Sequence, residues 1–406
     1  MNSNHKRFIM RKMFVVVGAV FLIHTLVPFA FAWSIRPEAT ELNQMIRDFN
    51  SIHSWRFWGY EASDYLIETY SVPVHEVITN CIYGCRYIWT EHSFSECSPP
   101  KPQKYKPPKQ QKDKYAPNGV LAGVRWNDNP PFQLTGTNVS AQRNCVGSTI
   151  QLPANNAKCW AILFYDAQRG AVQKNLTYDG KSGHALLYRV HFGDMQFLHS
   201  MATRDGETAG ETKDKIMAWA EFVYKVSLGE IKYNAFLYQC GIPGVEALFK
   251  KKPGWTVQML FTWDDPTYKP YKDKSGLHDK DFREFAFGTL LHMVQDSFSK
   301  SHVERNPGGG YSCKDLPDYS HPGKIESFHS FRLQKYRSHS AQDKDTAFME
   351  NVSRNERLKS DVIDVGAVLR DYYESNKSWE DLKNYLHCVY DLEDAGAVAG
   401  PGDEFI

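Results

Sequence analysis

No excess of charge of one sign marks this chain. Its 406 residues carry 48 Lys and Arg against 47 Asp and Glu, a formal net charge of +1. That balance argues against a duplex-DNA binder that works by phosphate neutralisation, which needs a clear basic surplus. The sequence also lacks an internal repeat, and long runs of high β-propensity are scarce. Beyond residue 32 no stretch is long and apolar enough to span a bilayer. What is present is ample material for a core. Hydrophobic residues make up 42% and aromatics 14%, which excludes wholesale disorder. The expected class is mainly α.

The first 32 residues read as an export signal. Lys6, Arg7, Arg11 and Lys12 form a basic segment without an acid, Met13 to Phe29 is apolar apart from His24 and Thr25, and Ala30-Phe31-Ala32 is an A-x-A cleavage site. Cleavage after Ala32 removes four positive charges and leaves −3 on the remainder. The expected mature chain is residues 33–406, secreted or periplasmic, and its length allows one large domain or two to three ordinary ones. Its eight cysteines then meet an oxidising compartment. The even number permits disulfides, but spacing does not reveal the pairing. Cys81 and Cys85 have the spacing of a metal pair, with no second Cys/His pair nearby to complete it.

Residues 38–96 carry aromatic and aliphatic residues at helical spacing, around Trp55, Phe57, Tyr60, Tyr65 and Leu66. Residues 98–118 break this pattern with prolines and lysines and predict an exposed, extended loop. Residues 119–190 mix turn signals with short apolar runs. Helices are predicted within 214–250 and over 279–303, the second apolar on most faces and therefore buried. A Gly/Pro-rich loop follows at 304–324, and helical patterns return over 325–394.

The segment LLHMVQDSFSKSHVER is the most informative. His292 and Asp296 are four apart, on one face of a helix, where both reach one metal ion or one another as a hydrogen-bonded couple. Two polar residues in so apolar a helix are costly to bury unless paired or metal-bound. His302 lies ten residues on, about 15 Å along a straight helix, so it serves another ion or joins the cluster after a bend. His339 and Asp343 repeat the spacing in a more polar stretch that also suits an exposed helix face. His75 opens HEVITNCIY, an amphipathic helix start that a capping or core histidine would also fit. Asp128 lies in RWNDNPP, which an Asx-type turn before proline would explain. His191 leads HFGD, where a strand-end histidine is the plain alternative. Signal cleavage would make Trp33 the first residue, with a free α-amine able to bind metal together with its own carbonyl.

In this order the residues resemble the zinc-dependent phospholipase C family, whose fold is shared by secreted single-strand-specific nucleases. The family's ligand order is an N-terminal Trp, a His near a helix start, an Asp, a His in an H-F-x-D string, H-x3-D-x5-H, then H-x3-E or H-x3-D. The chain offers Trp33, His75, Asp128, His191, His292, Asp296, His302, His339 and Asp343 in that sequence. The resemblance covers residues 33–343 by motif alone, and three intervals depart from the family by being longer: Trp33 to His75, Asp128 to His191, and His302 to His339. Asp194 and His199, in HFGDMQFLH, are the rival pair to Asp128 and His191.

The resemblance implies a single multi-helix catalytic domain over residues 33–406 holding three Zn2+ ions. One ion takes Asp128, His191, His292 and Asp296. A second takes the Trp33 amine and carbonyl, His75 and the shared Asp296. A third takes His302, His339 and Asp343. Asp296 bridges two ions, and Asp128 orients or deprotonates the attacking water, so these two are the expected catalytic carboxylates. Such a cluster suits phosphodiester hydrolysis, because metal ions acidify water and clamp phosphate oxygens. The implied activity is a phospholipase C that cleaves phosphatidylcholine-like lipids at a membrane surface to diacylglycerol and a phosphorylated headgroup. A single-strand nuclease or nucleotidase is the alternative, disfavoured by the negative mature chain, and no stable nucleic-acid partner is expected. A non-catalytic zinc-binding exported protein is the third reading.

Overall fold

The computed structural model describes residues 74–84, 116–128, 186–250, 253–262, 279–306, 311–331, 333–342 and 360–406. In chain order the helices are α1 (Val74–Ile82), α2 (Asn118–Trp126), α3 (Leu186–Phe192), α4 (Ala209–Leu228), α5 (Pro243–Phe249), α6 (Val257–Thr262) and α7 (Asp279–Asp296). Four short strands follow: β1 (Val303–Arg305), β2 (Ser312–Cys313), β3 (Leu316–Ser320) and β4 (Ile325–Phe328). The chain then forms α8 (Tyr336–Gln342), α9 (Val362–Glu374) and α10 (Trp379–Val389). The described part is mainly helical, as expected, and none of its helices is long and apolar enough to cross a membrane. Residues 1–32, Trp33, Asp343 and Cys85 lie outside the described residues.

Helix boundaries follow local chemistry. Thr208, Asp361 and Ser378 each cap α4, α9 and α10, and the third helical residue of each (Glu211, Asp364, Asp381) reaches back to the cap. α4 ends at Gly229, whose φ of 77° is one that a side chain disfavours.

α7 is the axis of the core. Phe285, Ala286, Phe287, Leu290, Leu291 and Met293 are all buried. It crosses α2 at two glycines. A methyl at Gly123 would lie 2.0 Å from the Phe285 carbonyl oxygen, and one at Gly288 would lie 2.2 Å from that of Val120. Only glycine permits this approach, and it brings backbone groups of α2 within reach of α7 side chains. Trp126 stacks on Trp219 of α4 at 6.1 Å and donates its indole N–H to the Leu260 carbonyl in α6. The buried hydrophobic cluster is continuous from Val74 to Ala399.

Several sequence expectations need correction. Of the 98–118 segment, expected to be an exposed loop, residues 98–115 lie outside the described residues, and its end is not exposed loop: Ala116 is buried, its N–H bonds Asn80 Oδ1 at 3.0 Å, and Asn118 begins α2. The helix expected over 279–303 stops at Asp296. The expected loop over 304–324 contains an antiparallel hairpin of β2 and β3, and β4 interrupts the helical stretch predicted from 325 by pairing antiparallel with β1. α1 has no exposed face, since all nine of its residues are buried. Cys313 and Cys388 form a disulfide tying the hairpin to α10, while Cys81 is a buried free thiol.

Candidate metal centre

The helix crossing builds the site. Because Gly123 and Gly288 let α2 press on α7, the Val124 carbonyl oxygen sits 2.6 Å from His292 Nδ1. A carbonyl only accepts, so His292 carries its proton on Nδ1 and presents a bare Nε2. That lone pair lies 3.0 Å from Asp296 Oδ2, one turn further along α7.

α1 supplies a second histidine in the same state. Thr79 donates its hydroxyl proton to the His75 carbonyl, so Thr79 Oγ1 accepts from Gln295 Nε2 at 2.9 Å. The Gln295 amide is thereby oriented with Oε1 toward His75 Nδ1 at 2.7 Å, and His75 must donate there. Its Nε2 then faces Asp296 Oδ1 at 3.4 Å, with the His75 ring stacked 3.8 Å from that of His292.

His199 closes the arrangement. It sits at the end of a 3-10 turn, Gln196–His199, followed by Ser200 at φ 51°. Its Nδ1 lies 2.8 Å from Asp296 Oδ2 and 3.2 Å from His292 Nε2. Asp128 Oδ1 is 3.9 Å from both His199 Nδ1 and His292 Nε2. His199 Nδ1 and His292 Nε2 thus each lie 2.8 to 3.9 Å from one another and from an oxygen of both carboxylates. Ligand atoms bound at about 2.0–2.1 Å to a tetrahedral zinc lie about 3.3 Å apart. Imidazoles and carboxylates at such separations are a donor set that could hold a metal ion. His75, His292 and Asp296 form one group able to hold a metal, and Asp128, His191 and His199 another, with ligand atoms in each within 4.8 Å of one another.

His191 has the opposite proton arrangement. Lying on α3 rather than at a strand end, it donates from Nε2 to the Asp128 backbone carbonyl at 2.8 Å. It thereby fixes the backbone that carries the Asp128 carboxylate, and its ring lies 4.9 Å from that of His199. Asp194 points elsewhere: Arg189 grips both of its oxygens at 2.8 Å. The sequence alternatives are thus recombined, with His199 of one pair beside Asp128 of the other.

His302 returns to the cluster because the chain bends sharply after Asp296. Ser297 to Ser299 turn back on Val294 to Asp296, and the part-buried Arg305 holds the bend by donating to the Ser297 carbonyl while its Nη1 donates to those of Gly323 and Val389. His302 Nδ1 ends 3.7 Å from Asp296 Oδ1. The His339 ring lies 5.1 Å from that of His302 and is buried, not on an exposed helix face.

The electrostatics are severe. Burial, then the adjacent His75 ring, pushes His292 down to about 3. Burial followed by the charge of His199 holds His191 well below its ordinary value. Burial acts to raise Asp296, while the charge of any protonated histidine around it and the His199 hydrogen bond act to lower it, and the net direction is downward. Asp296 is therefore an anion whose neighbour His292 stays neutral at pH 7. Among the described residues Asp296 Oδ1 and His199 Nε2 make no hydrogen bond despite full burial. A bare imidazole nitrogen beside a buried carboxylate needs a shared partner, which a metal ion or the N–H of His199, 2.8 Å from Asp296 Oδ2 and 3.2 Å from His292 Nε2, can supply.

Buried His/Asp groups could thus hold metal ions here. Trp33 and Asp343, expected ligands of the second and third ions, lie outside the described residues. Sequence reasoning missed the part played by Gln295, which serves a histidine 220 residues away, a separation no local motif encodes. No protein-family model, no curated protein and no solved structure matches the chain.

Proposed function

We propose that this chain is an exported zinc-dependent phosphodiester hydrolase, a phospholipase C acting on phosphatidylcholine-like lipids. The observation that carries the reading is the position of Asp296. Its two oxygens face two donor sets, Oδ2 toward His199 and His292 and Oδ1 toward His75 and His302. A carboxylate so placed suits a bridge between two closely spaced cations. The order of ligand types along the chain supports the family resemblance, and the Cys313–Cys388 disulfide supports an oxidising compartment.

Zinc bound in this cluster would acidify water and clamp the phosphate oxygens as negative charge builds. The chain's own residues divide the remaining work. Asp296 holds the donor sets together. Asp128, whose Oδ1 lies 3.9 Å from His199 Nδ1 and from His292 Nε2, would orient a water and accept its proton. Val124 and Gln295 keep His292 and His75 in the tautomers that leave Nε2 bare.

The test is an assay of zinc-reconstituted mature protein, beginning at Trp33, on phosphatidylcholine vesicles and on single-stranded DNA. The expected result is diacylglycerol release that chelation abolishes and added zinc restores. Cleavage of DNA with intact lipid would assign the nuclease reading instead. Turnover of neither substrate by zinc-loaded protein would overturn the hydrolase reading.

A further inference from the structure

A second glutamine repeats the logic of Gln295 on the other side of the cluster. Gln334 is buried just ahead of α8. Its Nε2 donates to two carbonyl oxygens, those of Ser301 and Pro401, each at 2.8 Å. Carbonyls only accept, so the amide has one orientation and its Oε1 must face His339 Nδ1, to which it is hydrogen-bonded. His339 therefore donates from Nδ1, which leaves Nε2 as the acceptor nitrogen of the neutral ring. The same amide touches three separate pieces of chain. Ser301 immediately precedes His302, His339 lies on α8, and Pro401 belongs to a segment stitched to the core by a bridge between His329 and Gly400 and by the Lys335 N–H on the Phe405 carbonyl.

We propose that Gln334 is the positioning residue of the His302–His339 pair: it fixes the His339 tautomer and ties both histidines to the Pro401–Phe405 segment, so that this segment sets metal affinity at that end of the cluster. The proposal rests on the reading of the cluster as a metal centre. It assigns Gln334 no contact with substrate. The residues 401–405 lie far along the chain from every candidate ligand, yet through one amide they determine which nitrogen His339 offers. Losing a hydrogen bond that orients a ligating histidine typically costs about 10–100-fold in metal affinity.

The experiment uses full-length mature protein with 15N-labelled histidine. In metal-free wild-type protein near neutral pH, long-range 1H–15N spectra should show His339 protonated on Nδ1. Gln334→Met keeps the length and removes the hydrogen bonds; His339 should shift toward the Nε2-protonated form. Zinc titration of Gln334→Met should show one equivalent weakened about 10–100-fold, with the remaining equivalents as in wild type. Gln334→Glu retains an acceptor toward His339 and should restore the Nδ1-protonated signature. Wild-type protein with His339 protonated on Nε2 would overturn the proposal even if Gln334→Met failed to fold. So would a Gln334→Met variant with unchanged tautomer or unchanged zinc affinity. Wild-type protein that shows the Nδ1 tautomer but binds no zinc would instead overturn the metal-centre reading.

Discussion

His292 Nε2 lies 3.0 Å from Asp296 Oδ2, and the other nitrogen of the same ring is committed to the Val124 carbonyl oxygen at 2.6 Å. One helix thus holds a bare lone pair against a carboxylate one turn away, with both groups fully buried. Two acceptors so close need a shared partner, a metal ion or the N–H of His199, and the consequences are measurable.

Asp296→Asn removes the charge that faces both donor sets while keeping the size of the side chain. Zinc content of the reconstituted protein should fall by at least one equivalent, and phosphodiester turnover by about 100-fold or more, the scale of losing a group that holds a catalytic metal. Asp194→Asn, which disturbs only the Arg189 pair, should keep its zinc and its turnover and lose stability alone. Elemental analysis of both variants checks this. Normal zinc in Asp296→Asn would remove Asp296 from the ligand set.

Gly288→Ala tests the helix crossing. The added methyl meets the Val120 carbonyl oxygen at 2.2 Å, backbone that must shift rather than a side chain that turns away. Overpacking of this kind costs about 1–3 kcal/mol, and more where backbone must move. Separation of α2 from α7 also withdraws Val124 from His292, so zinc affinity should fall together with the melting temperature. Denaturant titration alongside zinc titration separates the two effects, and a variant with lowered stability but full zinc affinity would show that the Val124 contact does not govern the site.

The Cys313–Cys388 disulfide spans 75 residues of sequence. The chain-entropy account gives about 4 kcal/mol for a loop of that length. Cys313→Ser with Cys388→Ser should lower stability by an amount of that order while leaving zinc stoichiometry intact, since neither cysteine lies in the cluster. Guanidinium unfolding of the oxidised and doubly substituted proteins measures the difference.

Acid should destabilise the metal-free protein. Burial holds His191 well below its ordinary value and brings His292 to about 3. In the unfolded chain both rings titrate near about 6.5. Between these limits the unfolded state binds protons that the folded state refuses, so stability present at neutral pH is lost as pH falls below about 6.5. Each such ring contributes about 1.4 kcal/mol per pH unit across that window. Chelator-treated protein should therefore unfold at lower urea concentration at pH 5 than at pH 7, and His292→Asn should flatten the dependence. An unchanged urea midpoint between the two pH values would show that these rings are not buried neutral.

The histidines and aspartates of the cluster were legible as candidates because each is a metal-ligand type in a short string, and helical spacing alone placed His292 and Asp296 on one face. The mainly helical class was legible for a similar reason, since apolar periodicity acts within a few turns, although the Thr208 cap that starts α4 ahead of residue 214 was not read. Less could be read where the partner is remote. The hairpin of β2 and β3 hides in a Gly/Pro-rich stretch because a two-stranded pairing leaves little alternation to read. The choice of His199 beside Asp128 was not visible, because a 3-10 turn and a left-handed Ser200 decide which ring turns inward.

What the sequence by itself determined is the local chemistry: which side chains can ligate, which segments coil, and that an apolar helix carries two polar residues needing partners. What only the tertiary structure decided is the state of those side chains. The bare nitrogen of His292 exists because two glycines on different helices let a carbonyl approach it, and that of His75 because an amide 220 residues away is held in one orientation. Hydrogen-bond direction depends on atoms meeting in space, and spacing along the chain carries no record of them.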